Sequence, residues 1–150
     1  MKRPIYKTIS FQELKQATND VFEQYDEIQL AYLYGSYANA TQTEFSDIDI
    51  GIVLTESFKE SALYFAELSV KIEKTLNFQI NIDLRILNEA TPRFLFQVIK
   101  NNKILYCKNK TFMHEFELKV MYEYQDIKPM LDMYDKISVM EVLNDENNLK

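Results

Sequence analysis

One stretch of nine residues limits the fold more than any other. Residues 78–86 read FQINIDLRI and alternate without a break. Phe78, Ile80, Ile82, Leu84 and Ile86 go to one side, and Gln79, Asn81, Asp83 and Arg85 to the other. A period of two residues is that of a β-strand with one face buried. The chain must therefore build a sheet, and the sheet must carry a carboxylate, Asp83, in mid-strand. Strand propensity disfavours aspartate there, so Asp83 needs a partner. Arg85 or solvent on an open sheet face is one partner; a metal ion is another.

The rest of the chain supplies layers for that sheet. Residues 28–34, IQLAYLY, and 48–54, IDIGIVL, read as two more buried strands. Ser10 opens SFQE, a capping box, and Phe11, Leu14, Ala17, Thr18, Val21 and Phe22 follow at helical spacing to Gln24. A second capping box, SFKE at Ser57, predicts a helix to about Leu76. Thr91 and Pro92 fit an N-cap and first helical position, with the helix ending near Ile99. NNKILYCK reads as a turn and a short strand. From Thr111 to about Leu143 the pattern is helical, with a break or bend expected near Pro129 and a frayed end at NDENNLK. The order predicts one α/β (α+β) domain over residues 1–150: a short mixed sheet flanked by helices. Its core spans about 10–108, and a long C-terminal helical tail spans about 111–143.

Composition narrows the function. A chain of 150 residues, 47% of them apolar, suits one domain with a real core. No apolar run approaches the roughly 18 residues that suggest a membrane span. The start, MKRPIYKTISF, lacks an apolar segment of the kind that directs secretion, so a cytoplasmic protein without a membrane partner is expected. The single cysteine, Cys107, follows the apolar run KILY and reads as a structural thiol, not a reactive one. The net charge of −6 argues against direct nucleic-acid binding, which draws its affinity from Lys and Arg on phosphates. It leaves open a nucleotide held through a metal ion, or a basic partner protein.

Residues 33–54, LYGSYANATQTEFSDIDIGIVL, concentrate the chemistry. They hold both glycines of the chain, Gly35 and Gly51, and two aspartates one residue apart, Asp47 and Asp49. At the start of a strand both carboxylates leave the same face, while Ile48 and Ile50 go to the core. Carboxylates so close raise each other's pKa, and a divalent cation resolves the conflict. Mg²⁺ takes hard oxygen ligands, one or two carboxylates together with substrate phosphates. An isolated Asp-x-Asp is more often a pair of solvated strand-end charges. Here Asp83 can join it if strands 48–54 and 78–86 are neighbours, and three carboxylates can hold two metal ions. Gly35 and Ser36 end the first strand, where glycine allows close approach of a ligand, and the Ser36 hydroxyl and nearby amides can bind phosphate oxygens. Gly51 fits either tight packing of its strand beneath the metal site or a β-bulge.

A strand, Gly-Ser, a spacer of ten residues, Asp-x-Asp on a second strand and a third aspartate on another: this order resembles the DNA polymerase β-like nucleotidyltransferase superfamily. GSYANATQTEFSDIDIGIVL, with SDID at Ser46 to Asp49, is similar to its minimal members, and NIDLRIL carries the matching last carboxylate. LNEATPRFLFQVIKNNKILYCKN is similar to the helix and strand that come after the third aspartate in minimal nucleotidyltransferase antitoxins of the MntA type. The resemblance covers roughly residues 28–108. It implies a small nucleotidyltransferase fold, with Asp47, Asp49 and Asp83 as catalytic metal ligands, and Gly35, Ser36, Asp47 and Asp49 as nucleotide-binding residues. It implies two Mg²⁺ ions and ATP as substrate. It also implies a partner: a HEPN-type ribonuclease toxin, held in a hetero-oligomer and silenced by AMP transferred to one of its tyrosines. The minimal family commonly has Arg-Gly after GSxA, where this chain has Asn39-Ala40. That departure keeps a binding-only antitoxin as an alternative. A small-molecule nucleotidyltransferase of the aminoglycoside type is another, ranked lower because about 40 residues follow the core. The acceptor, the number of AMP groups and the oligomeric state are not written in the sequence.

Other features carry simpler readings. His114, the only histidine, fits a surface or capping role. Tyr32, Tyr34, Tyr122, Tyr124 and Tyr134 fit core or interface packing, whereas Tyr37 lies next to Ser36. Phe112, Phe116, Val120, Tyr124, Ile127, Met130, Leu131 and Tyr134 form a helical stripe in the tail. Packing on the sheet is the default for that stripe, and a partner surface comes second.

Overall fold

The structure is a computed structural model and describes residues 9–38 and 47–148. Asn39, Ala40 and Ser46, singled out above, lie outside the described residues. The chain runs α1 (Phe11–Phe22), β1 (Ile28–Tyr34), a single 3-10 turn (Gly35–Tyr37), β2 (Ile48–Leu54), α2 (Tyr64–Thr75), β3 (Ile82–Ile86), α3 (Pro92–Lys100), β4 (Lys103–Cys107) and α4 (Lys110–Asn148). The sheet order is β3-β2-β1-β4. β1 pairs antiparallel with β2 and β4, and β2 pairs parallel with β3, so the sheet is mixed.

Alternation along the strands divides the core into two layers. Ile48, Ile50 and Ile52 of β2 and Ile82 and Leu84 of β3 meet Leu14 and Phe22 of α1 and Leu68 and Ile72 of α2. On the opposite face Leu30, Tyr32 and Val53 meet Leu95 and Val98 of α3 and Met113 and Val120 of α4. The buried Tyr32 hydroxyl donates to Glu117 Oε1 at 2.7 Å and ties α4 to the sheet. Asp49 and Gly51 alternate with the isoleucines and therefore share the α3–α4 face. Among the described residues no helix is long and apolar enough to cross a membrane.

Both ends of α1 and α3 follow the sequence signals closely. The Ser10 hydroxyl accepts from Glu13 N–H and the Thr91 hydroxyl from Phe94 N–H. Three expectations are corrected. First, α2 starts at Tyr64, not at Ser57. Tertiary packing overrides the second capping box: Phe58 packs on the Tyr64 ring at 5.3 Å, and the Tyr64 hydroxyl donates to Glu27 at 2.6 Å. Second, β3 starts at Ile82, four residues later than the alternation suggested. The chain leaves α2 through two left-handed residues, Asn77 (φ 56) and Phe78 (φ 54), with Phe78 N–H donating to Glu73 O at 2.8 Å. A helix exit of this shape usually employs glycine. Here Phe78 takes the position, and its ring stays 63% exposed instead of joining the core. Third, α4 passes through Pro129 without ending and continues to Asn148, past the expected stop at Leu143.

Candidate active site

β1, β2 and β3 carry the site at one end of the sheet. Tyr34 is the register partner of Asp49 across the antiparallel pair, and Asp49 is the partner of Asp83 across the parallel pair. Register partners in a pleated sheet leave the same face, so Tyr34, Asp49 and Asp83 stand in a row. Arg85, two residues beyond Asp83, rises from the same face and pairs with it at Nη2–Oδ2 3.6 Å. Phe94 of α3 closes the side of the row: its ring lies 5.7 Å from Tyr34, edge to face, and 5.6 Å from the Arg85 guanidinium.

The electrostatics of the row are unresolved within the protein. Burial pushes the Asp49 carboxyl above its ordinary pKa, the Asp83 charge pushes it further, and Asp47 adds to the effect, while Arg85 opposes it. Burial likewise raises the Tyr34 hydroxyl to about 12; Arg85 opposes that shift and Asp49 and Asp83 add to it. The Tyr34 hydroxyl is buried with no hydrogen-bond partner among the described residues. Half-buried carboxylates in hydrogen-bonding reach of each other form a site that wants added positive charge.

Gly35 is explained by this row. Its φ is +73, a left-handed conformation, and a Cβ there would collide with the Asp49 carboxylate, whose Cγ would be 3.3 Å away. The room expected for a triphosphate is in the first instance room for Asp49. Gly51 stands in regular register with Tyr32 and Arg85, so no bulge explains it. A Cβ on Gly51 would lie 2.7 Å from Leu87 Cδ1, so glycine here lets Leu87 pack flat on β2.

The structure thus brings Gly35, Ser36, Asp49 and Asp83 to one end of the sheet. Ser36 is half-buried in the turn after β1. Asp47 is exposed, one residue ahead of β2, close enough to act on Asp49. As the side chains stand, no three or more acidic, histidine or cysteine groups converge into a metal cluster among the described residues. The donor set nonetheless fits a divalent cation: three hard carboxylates, one of them raised by burial and by its neighbours, with Asp47 exposed. Of the two partners offered for Asp83, the guanidinium is the one in contact with it. Tyr34 and Phe94 were not read as site residues; the signals were the position of Tyr34 just before Gly-Ser and of Phe94 just after the Thr91 cap. Tyr37 packs against the α1–α2 layer, and His114 is exposed.

Residues 16–111 match the family model described as polymerase beta, nucleotidyltransferase, which is well over half of the chain. The chain belongs to the polymerase β-type nucleotidyltransferases. Over 79 residues this nucleotidyltransferase is 34% identical to the protein adenylyltransferase MntA of Shewanella oneidensis. That match takes in 53% of this chain and 54% of the relative, so the chain spans about half the length of the curated relative it matches. Its fold is similar to that of a chain in a toxin–antitoxin crystal structure with AMP-PNP, with TM-score 0.70 and 25% identity over 83% of this chain and 98% of that one. It is also similar in fold to a chain in the complex of tri-AMPylated Shewanella oneidensis HEPN toxin with MNT antitoxin, with TM-score 0.66 and 22% identity over 85% and 98%. The long α4 and the four-stranded mixed sheet fall within this nucleotidyltransferase fold.

Proposed function

We propose that this nucleotidyltransferase is a cytoplasmic antitoxin that transfers AMP from ATP to a tyrosine of a HEPN-type ribonuclease toxin, in a hetero-oligomer with it. The observation that carries the reading is the pairing of Asp49 with Asp83 on neighbouring strands, against the Gly35 turn, in a relative of a protein adenylyltransferase. In the reaction the tyrosine oxygen attacks the α-phosphorus of ATP. The bond from that phosphorus to the bridging oxygen breaks, pyrophosphate leaves, and the tyrosine proton is lost.

Each residue has a part in this. Gly35 holds the backbone back so that Asp49 stands beside Asp83. Ser36 lies where its hydroxyl can meet phosphate oxygens. Asp47, Asp49 and Asp83 would hold Mg²⁺. Bound there, Mg²⁺ would supply positive charge to the triphosphate and to the acceptor oxygen as the bond forms. Asp83 is the carboxylate at the β3 edge of the row, the side on which an acceptor hydroxyl can approach and give up its proton. The net charge of −6 suits a basic, RNA-cutting partner and not direct nucleic-acid binding.

The test is the intact mass of the toxin after incubation with the protein, ATP and Mg²⁺. A gain of one or more adenylyl groups on tyrosine is expected; neutralised toxin of unchanged mass contradicts the proposal. A binding-only antitoxin is the second reading, and the ion pair that already engages Asp83 favours it.

A further inference from the structure

Arg85 has no place in the metal-ligand set, yet it is built into the site. β3 presents it two residues after Asp83, on the same face. Its guanidinium meets Asp83 Oδ2 at 3.6 Å and rests on the Phe94 ring at 5.6 Å. Its charge also reaches Asp49 and Tyr34, where it opposes the effect of the carboxylates. The Arg85 side chain is 57% exposed, so it can leave without unpacking the core.

We propose that Arg85 is a resident counter-cation: it occupies the carboxylate row until a divalent ion displaces it, and so sets the metal concentration at which the site fills. The inference rests on the carboxylates being the metal site. Two demands on Asp83 are in conflict. A guanidinium at ion-pair distance and a divalent ion on the same carboxylate repel each other, and the carboxylate has few oxygen lone pairs to share. In the metal-free protein the ion pair offsets the repulsion between Asp49 and Asp83 and keeps the row together. When the ion enters, the guanidinium must give up Asp83. The Phe94 face then keeps it beside the row by cation–π contact. A metal therefore binds against a competitor that is part of the chain and cannot diffuse away.

A purely structural ion pair makes a different prediction. Removing it would lower stability and leave metal affinity alone. The experiment is a titration with Mg²⁺ alone, without nucleotide, read by calorimetry and by the rise in melting temperature. Four proteins are compared: native, Arg85→Gln, Arg85→Lys, and the Asp49→Asn/Asp83→Asn double variant. Arg85→Gln should fill at a Mg²⁺ concentration lower by roughly threefold to tenfold, the size of shift that one partly screened neighbouring charge imposes. Arg85→Lys keeps the charge and should stay near native. An unchanged or higher midpoint in Arg85→Gln, while the double variant loses binding, overturns the counter-cation and leaves the metal site standing. Equal binding by native and double variant overturns the metal site itself. Absence of Mg²⁺ binding to both native and Arg85→Gln overturns the competition.

Discussion

The two ends of the α3–α4 face break opposite rules of folding. At the sheet end, carboxylates are drawn together and half-buried, which costs free energy through desolvation and repulsion. Along the outer half of α4, apolar side chains are left in water: Met130, Met133, Tyr134, Ile137 and Met140 are each exposed by 44% or more. The inner half of the same helix exposes Leu118, Met121 and Tyr122 but also packs on the sheet, with Met113 and Val120 buried and the Tyr124 ring stacked 3.9 Å from that of Phe96. Folding explains those packed contacts and neither of the two exceptions. The exceptions are also close in space. Asp135 of α4 pairs with Arg93 at 3.5 Å, next to Phe94 at the carboxylate row. The outer helix also carries six carboxylates against two lysines between residues 125 and 148, a suitable rim for a basic partner. Under the proposed function, one end would take the cation and the nucleotide, and the other the partner protein.

The contrast between the two ends breaks first at Asp83. Asp83→Asn keeps the shape and removes the charge, so the variant should fold and bind the toxin, yet transfer AMP at least about 100-fold more slowly. The toxin's mass after a timed incubation is the readout. Near-native transfer by Asp83→Asn would remove the β3 carboxylate from the chemistry. At the other end, the Met130→Glu/Tyr134→Glu double variant should weaken toxin binding by about tenfold or more while nucleotide binding holds. Its melting should change little, by about 0.5 kcal/mol or less, because both side chains are exposed. An unfolded variant would make the outer stripe part of the core.

The two glycines sharpen the contrast within the sheet itself. Gly35→Ala should cost about 1–3 kcal/mol from its left-handed backbone, and it should also impair nucleotide binding by forcing Asp49 aside. Gly51→Ala meets only the Leu87 side chain and should cost about 1–3 kcal/mol by overpacking, with nucleotide affinity intact. Denaturant titrations and AMP-PNP binding on the two variants separate the roles. Equal loss of nucleotide binding in both would mean that glycine there serves strand packing alone.

Much of this was legible in the residues. The alternation at 82–86 and the apolar runs 28–34 and 48–54 specify strands because one or both of their faces are buried. The Ser10 and Thr91 caps are local, so local rules find them. Two of the three misreadings are alike. At Ser57 and at Phe78 a local pattern was complete, and a distant partner or a helix exit decided otherwise. For the candidate site, the sequence offered Gly35, Ser36, Asp47, Asp49 and Asp83, and the structure gathers Gly35, Ser36, Asp49 and Asp83 at one end of the sheet. Register was not legible, because the pairing of Asp49 with Asp83 depends on which strands are neighbours. The same holds for Phe94, which reaches the site through the packing of α3. The tail was read as one continuous stripe through Tyr124, yet Tyr124 stacks on Phe96 while Met130 and Tyr134 of the same stripe stay exposed.

The smallest effect is also the most direct test that the carboxylate row is built for a cation. In the metal-free protein Asp49 holds its proton more tightly when folded than when unfolded. The folded state then binds more protons, and stability falls as pH rises from the ordinary carboxylate value through the raised one. Asp49→Asn removes that loss. Without metal at neutral pH it should melt slightly above the native protein, and the gap should close as the pH is lowered into the carboxylate range. With Mg²⁺ and AMP-PNP the order should invert, because the ligands stabilise the protein that binds them more tightly. The measurement is a set of paired thermal melts of the two proteins, with and without Mg²⁺ and AMP-PNP. A crossing of the two orders is the predicted result. A native protein that is already the more stable without metal, or equal gains for both on adding Mg²⁺ and AMP-PNP, would contradict the account.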